Sequence, residues 1–247
     1  MQALTGSLSH IGAMAAIFLI AAFIRGYSGF GFSALSIAGL GLLMDPRPLI
    51  PVMFIVELSL TVLQARGVWA QIDWRRVLTM LVGAAVAMPF SVSILARIGP
   101  DPARLVISGA IFVFSVLLLT GWTIHRRIGP LGQIGVGLVS GVCNGAAVGG
   151  LPVATFLTAQ PIAAPVFRAT MVAYLTAIDL VALPLFARAG LVGRDTLMTG
   201  ALALPVAWLG LWLGGRHFLA ASPQGFRRMA VTLLAVLSVL GLIRSLG

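Results

Sequence analysis

The chain has 247 residues, of which 60% are hydrophobic and only 9% are charged. A soluble domain of this length needs far more polar surface, so the composition excludes an ordinary soluble protein and predicts an all-α, polytopic membrane protein. The formal net charge of +10 would favour a nucleic-acid partner in a soluble protein, but here the basic residues lie mostly in short gaps between apolar runs. Such residues serve membrane topology and contact lipid headgroups, so we predict lipid contact and no nucleic-acid partner.

The first half of the chain combines a broken apolar segment with three longer ones. The apolar residues 8–24 run into a glycine-rich break, Arg25 to Gly31, and the apolar pattern resumes over residues 32–43. About 20 apolar residues are needed to cross roughly 30 Å of hydrocarbon, so each longer stretch is predicted to be a transmembrane helix. These stretches lie at about 48–65, 75–95 and 103–122.

The second half repeats this order after a polar link, His125-Arg126-Arg127. Short apolar segments at about 130–140 and 151–159 flank a second glycine-rich break, Gly141 to Gly150. Three long stretches follow at about 165–187, 195–214 and 226–243. The repetition predicts two transmembrane repeats, residues 1–124 and 125–247.

The short segments of the second half indicate the topology. As a helix, residues 151–159 would rise only about 14 Å, which is too little to cross a bilayer. Together with residues 130–140 they fit a re-entrant hairpin that enters and leaves on one side. If each half is one hairpin plus three spans, each half crosses an odd number of times, and the two repeats are inverted relative to each other. The competing interpretation counts eight full spans and gives parallel halves; residues 8–24 are long enough to span alone.

The arginines give little help in choosing an orientation. The hairpin topology places eight of them on one side and six on the other. By the positive-inside rule, this small excess favours both termini outside.

The two breaks are the best candidates for a functional site. Unwound backbone inside a membrane must line a cavity or be buried in protein, and breaks at matching positions of two halves mark transporter sites. Where a helix restarts, its N-terminal N–H groups and partial positive charge suit an anion. We therefore predict an anion-binding cradle near the membrane midplane, although close helix packing is the alternative role for any single glycine. The glycines concerned are Gly29, Gly31, Gly145, Gly149 and Gly150.

Polar residues beside the breaks extend this prediction. Ser28 and Asn144 lie at the tips of the two breaks, where each could donate a hydrogen bond to an oxyanion. Arg25 ends the first segment and either faces the cavity, attracting an anion, or snorkels to the interface. Arg168, near the start of a long stretch, is expected to anchor that helix end.

Glu57 and Asp179 are the acidic residues well inside apolar spans. Each follows a hairpin and lies near the middle of its span. A charge at that depth is costly, so such a residue usually marks a proton relay, an ion site or a structural pair. We predict proton coupling at these residues, with a helix–helix hydrogen bond from a neutral carboxyl group as the alternative.

Enzymatic motifs are missing from the sequence. No metal-ligand spacing, nucleophile elbow, P-loop or Ser-His-Asp constellation occurs, and His10, His125 and His217 are isolated from one another. We therefore expect no enzyme activity, no metal and no cofactor.

Three motifs resemble those of a known family. They are Gly26-Tyr27-Ser28-Gly29-Phe30-Gly31-Phe32, Arg66 followed by Ile72-Asp73-Trp74-Arg75, and a glycine-rich stretch that ends in Gly149-Gly150-Leu151-Pro152. In order and spacing they resemble the TauE/SafE family, also called the toluene sulfonate uptake permeases, over nearly the whole chain. The glycine-rich stretch departs from the family pattern, since Ala146-Ala147-Val148 stands where a denser glycine run is often seen. The geometry of the cradle, and hence the substrate size, stays open at this point.

The resemblance implies a multi-pass permease of the bacterial inner membrane for small sulfur-containing anions such as sulfite, sulfoacetate or another organosulfonate. Together with the breaks, it predicts a secondary transporter, with export as the expected direction by family habit. One alternative is a passive anion channel, which needs a continuous pore and no coupling carboxylate. The other is a non-transporting membrane scaffold subunit, which has no need of unwound midplane backbone. Gly-x-x-x-Gly-like spacings permit a homodimer.

Overall fold

The computed structural model describes residues 8–64, 69–124, 128–217 and 223–246. Within these ranges the regular structure is entirely helical, with ten α-helices and two short 3-10 turns. The helices are α1 (Leu8–Ser28), α2 (Phe32–Gly41), α3 (Ile50–Gln64), α4 (Trp74–Leu95), α5 (Pro100–Thr120), α6 (Pro130–Asn144), α7 (Gly150–Thr158), α8 (Ala164–Arg188), α9 (Arg194–His217) and α10 (Pro223–Leu246).

Six helices of the described part are long and apolar enough to cross a membrane. They are α1, α4, α5, α8, α9, and α3 together with the 3-10 turn before it. The predicted class, an all-helical multi-pass membrane protein, is confirmed. By contrast, α2 and α7 have 10 and 9 residues, so they rise only about 15 and 14 Å. Every residue of α2 is buried, which fits a short helix enclosed by protein.

The helices before the two breaks are longer than the sequence indicated. The apolar segments were predicted to end at residues 24 and 140, whereas α1 runs to Ser28 and α6 to Asn144. The glycines at these ends do not unwind the helix but allow close packing. A Cβ at Gly26 would lie 2.4 Å from the carbonyl oxygen of Leu211, and one at Gly141 would lie 2.4 Å from that of Ala84. The breaks are therefore shorter, with non-helical residues at 29–31 and 145–149.

The two halves interlock through corresponding contacts. The first helix of each half packs against the fourth helix of the other, so α1 lies on α9 and α6 lies on α4. Glycines bring the backbones together at corresponding places in both interfaces: Gly210 meets Leu19 and Gly26 meets Leu211, while Gly83 meets Ile134 and Gly141 meets Ala84. This correspondence favours two structural repeats. The predicted boundary between residues 124 and 125 stays a prediction, and the link at 125–127 lies outside the described residues.

The ends of the two short helices lie at opposite ends of α5. Just beyond the last turn of α5, the Ile124 N–H donates to the carbonyl oxygen of Ala159, which follows α7, at 2.7 Å. Near the first turn of α5, Arg104 Nε donates to the carbonyl oxygen of Gly41, the last residue of α2, at 2.9 Å. Hairpins that enter from opposite sides require such an arrangement, so these contacts favour inverted repeats over eight full spans. The orientation of the halves in a membrane stays a prediction.

Candidate functional site

The first break is formed by two glycines in left-handed conformations. Gly29 has φ 83° and Gly31, which precedes α2, has φ 95°, a region in which a side chain would be strained. The Ser28 hydroxyl lies 2.8 Å from the carbonyl oxygens of both Ile24 and Phe30. Ser28, which we expected to donate to an anion, therefore closes the end of α1 in this structure, and its role as a ligand residue stays a prediction.

The second break is a tight turn held by backbone and side-chain hydrogen bonds. The Ala147 N–H donates to the Asn144 carbonyl oxygen at 3.0 Å. The Ser140 hydroxyl donates to the carbonyl oxygen of Gly149 at 2.6 Å, and Tyr174 donates in turn to Ser140 at 2.7 Å. Ala147 has φ 56°, which costs an L-residue other than glycine roughly 1–2 kcal/mol. An alanine thus adopts here a conformation that favours glycine, at the place where the sequence departs from the family pattern.

The two breaks meet at one small cavity of about 20 Å³, roughly the space of a single water molecule. The first turns of α2 and α7 both contribute to it, which is the juxtaposition that the anion cradle requires. Its walls include the predicted residues Gly31, Asn144, Gly150 and Glu57, together with Phe30, Ser33, Ala34, Ala147, Val148, Leu151 and Leu175.

Three predicted glycines pack against protein beside this cavity and are not among its walls. A Cβ at Gly145 would lie 2.8 Å from Ser91 on α4, and one at Gly149 would lie 2.7 Å from Asn144. At Gly29, a Cβ would lie 2.8 Å from the Cγ atom of Arg168. These glycines shape the breaks through close approach, and their direct contact with a ligand stays a prediction.

Two hydrogen-bond donors at the small cavity are buried and unsatisfied. The Ser33 hydroxyl and the Asn144 Nδ2 group have no hydrogen-bond partner among the described residues, although the two residues are only 6% and 3% exposed. Leaving a buried donor unpaired costs about 1–3 kcal/mol, so a hydrogen-bond acceptor in this cavity, whether a water molecule or an anion, is stabilised by these two donors. Ser33 is not among the site residues predicted from the sequence, where its signal is a hydroxyl group in the first turn after Gly31.

Arg25 is fully buried and paired with Glu57. Its Nη1 atom donates to Glu57 Oε1 at 2.5 Å, and its Nη2 atom donates to the Thr61 hydroxyl at 3.2 Å. Arg25 therefore neither snorkels to the interface nor lines either of the two cavities described here. Because Glu57 also lines the small cavity, the ion pair adjoins the point where the two breaks meet.

Asp179 on α8 completes a cluster of three ionisable groups. It lies close enough to Glu57 and Arg25 for their charges to interact. It is 1% exposed, and neither of its carboxyl oxygens has a hydrogen-bond partner in the described part of the chain. One turn away, Thr176 donates to the Thr61 hydroxyl at 2.9 Å, joining α8 to α3. The structure thus brings together the two predicted coupling residues, which belong to different halves of the sequence.

A larger cavity of about 550 Å³ lies on the side where α5 and α7 end. Arg168 lines it, and its Nη2 atom donates to the carbonyl oxygen of Gly26 at 2.8 Å. Arg168 therefore does more than anchor the start of α8, because it holds the first break from the cavity side. Phe30, 4% exposed, lines both cavities and packs edge to face on Phe167, with ring centroids 5.9 Å apart.

The comparisons with known proteins agree with this architecture. Residues 14–240 match the family described as Sulfite exporter TauE/SafE, a range that includes both breaks and both cavities. The chain matches no curated protein and no solved structure. Since the family match covers far more than half of the chain, this multi-pass membrane protein belongs to the TauE/SafE sulfite exporter family.

Proposed function

We propose that the protein is a secondary transporter that exports a small sulfur-containing anion, such as sulfite, sulfoacetate or another organosulfonate, across the bacterial inner membrane. The family supports the general activity, transport of sulfite or a related anion. The observation that carries the proposed site is the pair of buried, unsatisfied donors at the small cavity, Ser33 Oγ and Asn144 Nδ2.

The chemistry of the small cavity suits an oxyanion. The first turns of α2 and α7 supply N–H groups without intrahelical partners and a partial positive charge. The Ser33 hydroxyl and the Asn144 amide add donors, while the oxygens of sulfite or a sulfonate are acceptors. A sulfite ion is larger than one water molecule, so binding requires the two breaks to move apart. Such movement is expected of a transporter in which each break belongs to a different repeat.

The neighbouring ion pair offers a means of coupling. An anion in the small cavity is repelled by the Glu57 carboxylate, and one arginine balances only one of the two carboxyl groups of Glu57 and Asp179. A proton taken up by this pair of carboxyl groups removes the repulsion, so proton binding and anion binding favour each other. By thermodynamic linkage the effect is reciprocal. The cluster therefore supports movement of a proton and the anion in the same direction, so an outward proton gradient drives export and an inward gradient opposes it.

The passive channel is the second candidate, and the position of Phe30 argues against it. A channel needs a continuous pore, whereas the buried Phe30 ring lies at the wall shared by the two cavities. The scaffold alternative has no need of two breaks that meet at one cavity.

Flux of labelled sulfite into proteoliposomes tests the proposal. Ser33→Ala and Asn144→Ala should each weaken sulfite binding by about 1–3 kcal/mol, because each removes a donor to a desolvated anion. Ser93→Ala is the matched control, since Ser93 is exposed and its hydroxyl donates to the carbonyl oxygen of Pro89 in its own helix. If the saturation curves of sulfite flux are unchanged in both site variants, sulfite does not bind in the small cavity.

A further inference from the structure

The larger cavity differs in character from the cavity between the breaks. Its volume of about 550 Å³ is many times the 20 Å³ of the small cavity. Among the described residues that line it, Arg168 is the one charged side chain and none is acidic. A cation that faces a cavity whose described walls carry no carboxylate favours an anion there.

Arg168 is held in a defined position by the first break. Its guanidinium donates to the Gly26 carbonyl oxygen at 2.8 Å. Its Cγ atom packs so closely on Gly29 that a Cβ there would lie 2.8 Å away. A guanidinium fixed in this way presents its planar fork of donors at little further cost in conformational entropy, and this fork matches the oxygens of an oxyanion. The first turn of α8, which begins at Ala164 and also lines the cavity, adds a partial positive charge.

Part of the described lining is an apolar wall, while the remainder includes the polar side chains of Tyr27, Ser28, Thr155, Thr158 and Gln160. The apolar wall is formed mainly by the last turns of α5 and the residues after them, together with the loop before α8 and α10. These residues are Leu117, Leu118, Leu119, Trp122, Ile162 and Val231. The aromatic ring of Phe167 lies beside Arg168 on the same helix turn. A bare oxyanion would leave this wall without a partner, whereas an anion with an apolar body would cover it.

We propose that the larger cavity is a second anion-binding site, distinct from the cradle between the breaks. It binds an organic anion whose oxyanion head contacts Arg168 and whose apolar body lies against the wall from α5. The placement of this site along a transport path rests on the proposed function, but the binding itself does not.

Protection of an engineered cysteine measures this binding without any transport. Cys143 is the only cysteine of the chain, so Ile162→Cys in a Cys143→Ser background places one thiol at the cavity wall. Maleimide labelling is followed in nanodiscs with benzenesulfonate as the probe. Methanesulfonate is the probe without an apolar body, and benzyltrimethylammonium is the apolar probe with the opposite charge. Gln71→Cys, an exposed residue outside the cavity, is the control thiol.

We expect benzenesulfonate to slow labelling at residue 162 and to leave residue 71 unaffected. Arg168→Gln should raise the half-protecting concentration of benzenesulfonate at least about tenfold, because a charge-assisted hydrogen bond is lost. Arg168→Lys should retain more of the protection than Arg168→Gln, since the charge remains. Methanesulfonate should protect more weakly than benzenesulfonate.

Three results would overturn the site: no protection by benzenesulfonate, equal protection by benzyltrimethylammonium, or unchanged protection in Arg168→Gln. Each variant is first shown to elute as a single species from size-exclusion chromatography, and Arg168→Lys supplies the comparison if Arg168→Gln fails this check. Loss of sulfite flux in Asn144→Ala with intact protection at residue 162 would support both sites. Intact protection without any sulfite flux in the unmodified protein would leave this site standing and reject the proposed function.

Discussion

Arg25 and Arg168 lie at the same glycine-rich break but in opposite surroundings. Arg25 is fully buried and donates to Glu57, while Arg168 lines a large cavity whose described walls carry no acid. The sequence leaves two roles open for Arg25, an anion ligand that faces the cavity or a side chain that snorkels to the interface, and predicts a helix anchor at Arg168. The difference teaches that two arginines at one break can have opposite surroundings, because a carboxylate on α3 reaches Arg25 while the described walls of the cavity beside Arg168 carry none.

The largest effect is expected from removing the buried arginine. Arg25→Met leaves the Glu57 carboxylate without its cation and should lower the free energy of unfolding by about 3–5 kcal/mol. Arg168→Met removes a charge that lines a cavity, so it should cost far less. Denaturant unfolding in detergent, with the double variant Arg25→Met/Glu57→Gln as a further arm, measures the difference. If Arg25→Met and Arg168→Met lower the free energy of unfolding by similar amounts, the proposed difference between the two arginines is wrong.

The next largest effect is expected from larger side chains at two glycines that lie within the breaks, Gly29 and Gly149. Gly29→Leu should displace Arg168, and Gly149→Leu should collide with Asn144, so each should abolish anion flux while the protein remains in the membrane. Gly12→Leu is the matched control, because, apart from its own helix backbone and chain neighbours, no described atom lies within 4 Å of a Cβ built there. Flux assays on equal amounts of inserted protein provide the test. Near-normal flux in both break variants would exclude the breaks from the transport path.

A subtler effect is expected from Asp179→Asn, which alters the cluster of Arg25, Glu57 and Asp179 and leaves Arg168 unchanged. The amide keeps the size of the side chain but cannot bind and release a proton. Transport driven by a proton gradient should therefore be lost, while exchange of sulfite at zero gradient should persist. The test is to compare the pH dependence of flux in the variant with that in the unmodified protein, which shows whether Asp179 takes part in proton coupling. A pH dependence that neither Asp179→Asn nor Glu57→Gln changes would make these carboxyl groups structural.

Much of the helical architecture could be predicted because hydropathy follows the local sequence. Each of the six long stretches predicted after the breaks contains a helix, and α2 and α7 are as short as expected. The ends of α1 and α6 could not be predicted, because Gly26 and Gly141 indicate the end of a helix when only the sequence is known. The structure shows that these glycines instead allow another helix to pack closely. Whether a glycine unwinds a helix or lets another backbone approach depends on tertiary contacts.

For the candidate site, the sequence indicates which segments come together but not which side chains pair. The glycines located both breaks, and Asn144 and Glu57 do lie at the cavity where the breaks meet. The cluster of Arg25, Glu57 and Asp179 could not be foreseen, because its members come from α1, α3 and α8, and only packing brings them together. Ser33 was missed for a similar reason, as burial without a partner is a property of the fold.

The interlocked interfaces have a consequence for biosynthesis. Helix α1 is made well before its glycine-lined partner α9, since the seven helices α2 to α8 lie between them in the described part of the chain. Glu57 follows Arg25 within a short stretch of chain, so the buried charge can be neutralised early. The face of α1 around Gly26, in contrast, must wait in lipid until α9 has been made. A chain truncated before α9 would expose this face, so membrane quality control could recognise incomplete copies by one uncovered helix.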